Sequence, residues 1–305
     1  MGKLQGIISK ISGSAGNLTF KRRCGETVVS EKVTEVRNPR TNAQMQVRTK
    51  WGNIVAMYKG LRPLLNYGFE NKPKNLTDYN MFMKLNMQRT PVYLTKQAMA
   101  GGACIATAYQ ISQGSLPSIV VTGTGQNGVT DIRLGGESLT NNTTVAEFSA
   151  AVVQNNADYK YGDQISFFLA KQKVNEETSI PYCQFSAAAV VLDAANTEKL
   201  VDVVGGSHGF ASVDGKLGHS GNDGDCAYGW VHTRKADGKT LVSSQSLLSA
   251  NTKEAEYKGD AAYTLAKSSF GASIESFLVP DGNATGATGG GGNDPLNGGG
   301  GNDSL

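Results

Sequence analysis

The spacing of apolar residues changes character near residue 92. Before it, apolar positions recur every three or four residues. Val47, Trp51, Ile54, Val55, Tyr58 and Leu61 form one such series, which Pro63 ends, and that period predicts an amphipathic helix. Asn38-Pro39-Arg40-Thr41 precedes the series. Pro39 stops an extended run, and the Thr41 hydroxyl is placed to accept the free N–H groups of a first helical turn. Val47, Trp51 and Val55 are expected to fix this helix to the body, with Arg48, Lys50, Lys59 and Arg62 on the opposite side. Tyr79, Phe82, Met83 and Met87 predict a second helix from Thr77 to about Met87. Ahead of both, residues 17–33 read as two short β runs around Cys24-Gly25-Glu26, a basic hairpin.

From Val92 onward, short β-prone runs are separated by Gly, Asn and Asp. Strands are expected near 103–111, 117–123, 129–134, 164–171, 180–192, 208–213, 226–234 and 239–244. Asp237-Gly238 is the strongest hairpin signal, because both residues tolerate the positive φ that a type I′ turn demands. Two helices interrupt the strands, at 145–154 behind Thr143 or Thr144 and at 252–267 with Ala255, Ala262 and Leu265 facing inward. Residues 212–224, with Gly215, Gly218, Gly221 and Gly224 as hinges, read as a mobile loop.

The fold class these elements imply is mainly β (α+β). An N-terminal β-hairpin and helical arm would precede antiparallel β sandwich or barrel modules with two inserted helices, followed by a disordered Gly-rich tail. The segments are 1–91 (basic hairpin and helical arm), 92–195 (first β module), 196–280 (second β module or continuation of the first) and 281–305 (tail).

Charge sharpens this division. The net charge of +3 conceals 17 Lys+Arg against 5 Asp+Glu in residues 1–100, leaving 12 against 21 in the remainder: +12 faces −9. A basic segment of this kind meets phosphate, an acidic surface, or the acidic part of another copy of the chain. Lys21, Arg22, Arg23, Arg40, Arg48 and Lys50 are the candidate contacts for nucleic acid or an acidic partner. The four cysteines, Cys24, Cys104, Cys183 and Cys226, are widely spaced and expected as free thiols. No signal peptide or membrane-spanning apolar run is recognised.

Named catalytic patterns are missing. Neither a phosphate-binding GxxxxGK[ST] nor a zinc-binding HExxH occurs. Gly123–Gly128 matches GxGxxG, but the β-like VTDIRL follows it where a dinucleotide site needs a helix, so a Gly-rich hairpin turn is the better reading. His208, His219 and Asp223 are metal-ligand types at a spacing that fits no compact site, and a metal-assisted hydrolase using them is the weakest reading. In the tail, GGGGNDPLN at 289–297 and GGGGNDSL at 298–305 satisfy the GGxGxDxUx template of calcium-binding β-rolls. Asp294 and Asp303 would supply its carboxylates. Two copies are too few to bury a β-roll core, so calcium is the only cofactor entertained and a flexible tail is the expectation.

Residues 13–51, GSAGNLTFKRRCGETVVSEKVTEVRNPRTNAQMQVRTKW, resemble the opening of an uncharacterised Bacteroidetes domain family with the pattern G-x-x-G-N-x-x-F … N-P-R-T-x-A-Q-x-x-x-R. YQISQGSLPSIVVT at 109–122, YGDQISFF at 161–168 and the ADGK hairpin are similar to that family too. The same opening resembles proteins of phage structural modules. Trp51 stands where that pattern has Phe, and the tail repeats lie outside it. The resemblance implies no established activity; it favours a non-enzymatic, self-assembling structural protein, a capsid or capsid-associated protein of a phage or prophage. Expected with it are homo-oligomers, contacts to nucleic acid or other virion proteins through the basic arm, and a location in the virion or the host cytoplasm during assembly. The alternative is a β-domain binding module for glycan, peptide or single-stranded nucleic acid, using aromatics such as Tyr159, Tyr161 and Trp230.

Overall fold

A computed structural model describes residues 2–4, 12–23, 26–34, 41–63, 68–73, 75–89, 91–123, 127–206, 209–219, 221 and 223–270. Four short strands open the chain: β1 (Gly2–Leu4), β2 (Gly13–Ala15), β3 (Leu18–Arg23) and β4 (Glu26–Glu31). They form an antiparallel sheet in the order β1-β4-β3-β2, so the expected hairpin is the centre of a larger sheet. Helices α1 (Asn42–Leu61), α2 (Asp78–Asn86) and α3 (Lys96–Ala100) follow, then β5 (Gln110–Ser112), β6 (Val121–Thr122), β7 (Val129–Arg133) and α4 (Val145–Asn155). The remainder comprises β8 (Gln164–Val174), β9 (Pro181–Val191), α5 (Leu200–Val204), β10 (Ala211–Val213), β11 (Lys216–Gly218), β12 (Cys226–Ala236), β13 (Lys239–Val242), β14 (Gln245–Ser246), β15 (Leu248–Ser249), a 3₁₀ turn at Thr252–Tyr257 and α6 (Gly259–Ser269). Among the described residues no helix is long and apolar enough to cross a membrane. The tail beyond 270 lies outside the described residues.

The organising element is an antiparallel sheet in the order β13-β12-β8-β9, with β15 also on β12. Its side chains alternate between two cores, as strand geometry requires. Ile165, Phe167 and Leu169 of β8, with Tyr228 and Trp230 of β12, enter a core completed by Ile132, Leu217, Phe148 of α4 and Leu200 of α5. The second sheet, β10-β11-β7-β6, contributes to that core. Phe168, Ala170, Ala227 and Val231 point the other way, onto Ile54, Met57 and Leu61 of α1 and Phe82 of α2. Helices α1 and α2 therefore share a core with residues 104–247 and are not a separate arm. Strand β12 pairs with β8 over eight registered residues, so among the described residues the segment after 196 shares a sheet with the one before it.

Local signals explain several elements. The Thr41 hydroxyl accepts from the Gln44 N–H while the Gln44 side chain accepts from the Thr41 N–H, a capping box that starts α1. Thr144 and Glu147 do the same for α4. Asp237 and Gly238 have φ of 51° and 71°, the type I′ turn expected between β12 and β13.

Four expectations are corrected. The buried face of α1 is Met45, Thr49, Gly52, Asn53, Ile54, Met57 and Leu61, and Val47 and Trp51 are exposed, so these two do not fix the helix. Residues 103–109 are not a strand, because side chains take up their backbone groups. Asn53 bonds both the N–H and C=O of Ile105, the Gln172 amide bonds the Ala106 N–H and the Cys104 C=O, and Asn251 donates to the Ala106 C=O. The presumed mobile loop 212–224 contains a hairpin, β10–β11, turning on Asp214 and Gly215 with φ of 49° and 70°. The expected helix at 252–267 is broken at Gly259 (φ 85°), which shifts its phase: Glu254, Ala266 and Phe270 are buried, and Ala255 and Leu265 are exposed.

Candidate assembly edge and polar pocket

Strand β9 is the edge of the central sheet. Its pairing with β8 runs from Gln164↔Val191 to Val174↔Pro181 without a register shift. The Leu192 N–H donates to the Asp163 C=O, which fixes the phase: even-numbered residues of β9 bond to β8, and odd-numbered ones turn their backbone groups outward. Of the outward row, the Pro181 C=O accepts from the Cys104 N–H. The backbone groups of Phe185, Ala187, Ala189 and Val191 meet no partner among the described residues.

Natural edge strands are guarded by shortness, charge, bulges or cover. The opposite edge follows that rule: β13 has four residues, begins at Lys239, and its Val242 C=O accepts from the Leu116 N–H. Strand β9 does not. Its eleven residues, PYCQFSAAAVV, carry no charge, and Tyr182, Ser186, Ala187, Ala189 and Val191 are exposed.

A cavity of about 460 Å³ runs beside the start of this edge. Its walls include Trp51, Val55 and Lys59 of α1, Met99, and Cys183 and Phe185 of β9. The Cys183 thiol donates to the Cys104 C=O at 3.3 Å, and its interaction with the Cys104 side chain, together with burial, pushes the thiol well above its ordinary range. A thiol shifted in this direction carries little thiolate at neutral pH.

A second, polar cavity of about 290 Å³ opens between the β7 end of one sheet and the β12 side of the other. His232 lines it and is fully buried. His232 Nε2 lies 2.9 Å from Asp163 Oδ2. Asp163 also accepts from Arg234 Nε and Nη2, both at 2.7 Å, and from the Lys160 N–H at 2.9 Å. Burial alone would raise the Asp163 carboxyl; the bonds from Arg234, Lys160 and His232 outweigh it and hold the group below its usual value. Burial pushes the His232 imidazole down, and the Arg234 charge adds to this. Tyr159 stacks on that ring at 4.4 Å.

Lys21 and Arg22 are exposed on β3, and Arg23 follows them in that strand. Arg48 is half-buried, and Lys50 places its Nζ 5.8 Å from the centre of the Tyr93 ring. Arg40, Asp294, Asp303, Cys24 and His208 lie outside the described residues. His219 Nε2 is 2.8 Å from Asp223 Oδ2, with the imidazole stacked between Phe167 and Tyr228. Among the described residues no three His, Cys, Asp or Glu side chains are grouped to hold a metal. Gly123–Gly128 joins β6 to β7 in an antiparallel hairpin, as the sequence indicated. Trp230 is buried and donates its Nε1–H to the Gly209 C=O, so of the aromatic candidates only Tyr161 is exposed.

Neither the edge nor the pocket was legible in the sequence. Runs such as SAAAVV mark a strand but not its place in a sheet. Trp230, His232 and Arg234 alternate along β12, but Asp163, the partner of His232, lies 69 residues away in the chain. No family model, no curated protein and no solved structure matches the chain.

Proposed function

We propose that the protein is a non-enzymatic structural protein that assembles with copies of itself through β9. The observation that carries this reading is the long, uncharged edge on which the outward backbone groups of Phe185, Ala187, Ala189 and Val191 meet no partner among the described residues. Burying such a row without partners is costly, and leaving it open invites a strand. The outward residues Cys183, Phe185, Ala187, Ala189 and Val191 are symmetric about Ala187. Antiparallel pairing of two copies on a two-fold axis there would set Phe185 opposite Ala189 and Cys183 opposite Val191. Opposite residues share a face, so Val191 of one copy would lie at the mouth of the other's groove, beside Cys183. The span from Cys183 to Val191 is about 27 Å at the usual rise per residue. A virion setting for this assembly is supported by the likeness of residues 13–51, and the +12/−9 charge split would add contacts between or beyond the subunits.

Light scattering on size-separated protein tests the proposal with Ala189→Pro. Proline removes one outward N–H and leaves the β8 ladder intact, so the variant folds normally. The wild type is expected to be a dimer or larger, stable at about 1 M salt because backbone pairing and apolar burial are little screened. A189P is expected to be monomeric with an unchanged melting temperature. A monomeric wild type, or an A189P assembly as stable as the wild type's, overturns it.

A further inference from the structure

The apolar groove between α1 and β9 has exposed rings on its rim. Trp51 and Tyr182 keep 38% and 43% of their surface open, and both face the same concave apolar surface, which sets them apart from scattered exposed side chains. Gly52 has no side chain at the base of the groove. A Cβ added to it would sit 2.7 Å from Met99 Cγ and Sδ, so Met99 packs directly against α1 and forms part of the wall. Lys59 is the one charged residue lining the groove; it is exposed and forms no ion pair among the described residues. An aromatic rim, an aliphatic wall and a single cation match an apolar segment that carries a negative charge.

The place where the described chain ends supplies such a segment. Phe270, the last described residue, is buried with Met45 and packs against Met99, the side chain that also walls the groove. Helix α6 is tied down there: the Ser269 hydroxyl accepts from the Lys96 N–H at 2.8 Å, and Lys267 Nζ donates to Asn42 Oδ1 at 2.8 Å. The chain therefore leaves the body beside the groove. Residues 271–280 read GASIESFLVP, in which Ile274, Phe277, Leu278 and Val279 are large and apolar and Glu275 is the one charged residue. Beyond Pro280 the only large apolar side chains are Leu296 and Leu305. From Trp51 to Lys59 the groove follows α1 for about 12 Å at the helical rise per residue. Residues 271–273 can span about 10 Å, and 274–279 about 20 Å when extended, enough to enter the groove and cover it. A tether this short holds the segment at an effective concentration on the order of millimolar, which a separate partner would have to match.

We propose that the groove is the docking site of this chain's own segment 274–279, with its apolar side chains on the surface of Trp51, Val55, Met99 and Tyr182 and Glu275 within reach of Lys59. Docking fixes the point from which residues 281–305 depart from the body. Pairing through β9 uses the backbone edge from Phe185 to Val191, whereas this contact uses the α1 side of the groove, so neither requires the other.

Photocross-linking in the full chain tests it. Phe277 is replaced by p-benzoylphenylalanine, unlabelled and ¹⁵N-labelled protein are mixed and irradiated, and linked peptides are identified by mass spectrometry. The expected links join residue 277 to peptides containing residues 51–59 or 182–185, with both halves of each link carrying the same isotope. Links between isotopes, meaning that a second copy's segment fills the groove, overturn the proposal, as do links elsewhere or none. Acrylamide quenching of Trp51 gives a second readout, because the other tryptophan, Trp230, is buried. Phe277→Asp combined with Leu278→Asp is expected to raise quenching at least twofold, and Leu296→Asp to leave it unchanged. All three positions lie beyond the described core, so its contacts are kept. Unchanged quenching in the double variant, or an equal rise in L296D, overturns the proposal. The same outcomes are expected in A189P, which separates a failure of β9 assembly from a failure of docking.

Discussion

Gly60 of α1 lies directly against the Phe185 ring of β9: a Cβ added at residue 60 would sit 2.0 Å from Phe185 Cε2. The missing side chain lets the helix approach the edge strand that lines the apolar groove. In an unobstructed helix, Gly→Ala stabilises by about 1 kcal/mol. Here Gly60→Ala is expected to lower stability by about 1–2 kcal/mol, because the ring must leave its rotamer or the helix must shift. In a Phe185→Ala background the same change should become stabilising. Urea unfolding of the two single variants and the double variant measures this reversal, and a G60A that stabilises the wild type sinks the packing argument.

Asp163 is the centre of the polar network under the pocket. Asp163→Asn removes the charge that Arg234 and His232 both face, and it places an amide donor among donors. The expected loss is about 3–5 kcal/mol, the range for breaking a buried charge pair. Denaturant midpoints check the value; a loss below about 1 kcal/mol would show that solvent replaces the carboxylate easily.

The pH dependence follows from the direction of the His232 shift. Burial lowers its pKa from 6.5, so the folded protein binds this proton less readily than the unfolded chain. Stability from the neutral ring is present above 6.5 and is lost as pH falls from 6.5 through the lower folded value. His232→Gln should therefore show a shallower loss of stability between about pH 6.5 and 5 than the wild type. The depressed Asp163 pKa adds a second loss only at more acidic pH, below its ordinary 3.8. Parallel pH profiles for wild type and H232Q would contradict the assignment.

The two Asp-Gly turns should respond alike. Gly215 and Gly238 have φ of 70° and 71° with open space around them, so the cost of alanine is conformational and not steric. Gly215→Ala and Gly238→Ala are each expected to cost about 1 kcal/mol. A near-zero effect at Gly215 in thermal melts would mean that the β10–β11 hairpin contributes little to stability.

Sequence alone located what depends on neighbours along the chain. Thr41 and Thr144 cap helices through bonds to residues three positions on, and Asp237-Gly238 forms its turn from its own φ preferences. Asp214-Gly215 carried the same signal. Its run of nearby glycines hid it, although the dipeptide's preference is unchanged by them. The facing of helices was read less well. Val47 and Trp51 are as apolar as Ile54, and only the packing of distant segments decides that Met45, against Phe270 and Met99, and Thr49 are buried while those two are exposed.

Tertiary structure decided everything that rests on distant pairs. Residues 103–109 have strand propensity, yet Asn53, Gln172 and Asn251 take up their backbone groups, and none of these is a local neighbour. The open edge exists because β8 is paired on one side by β12 and on the other by β9, which leaves β9 last in the row. The His232 ring is held by Asp163, which is distant in sequence. Local propensity thus set helix starts and turns through short-range bonds. The order of strands, the core face of each helix and the polar pocket came from burial and pairing that only the folded chain brings together.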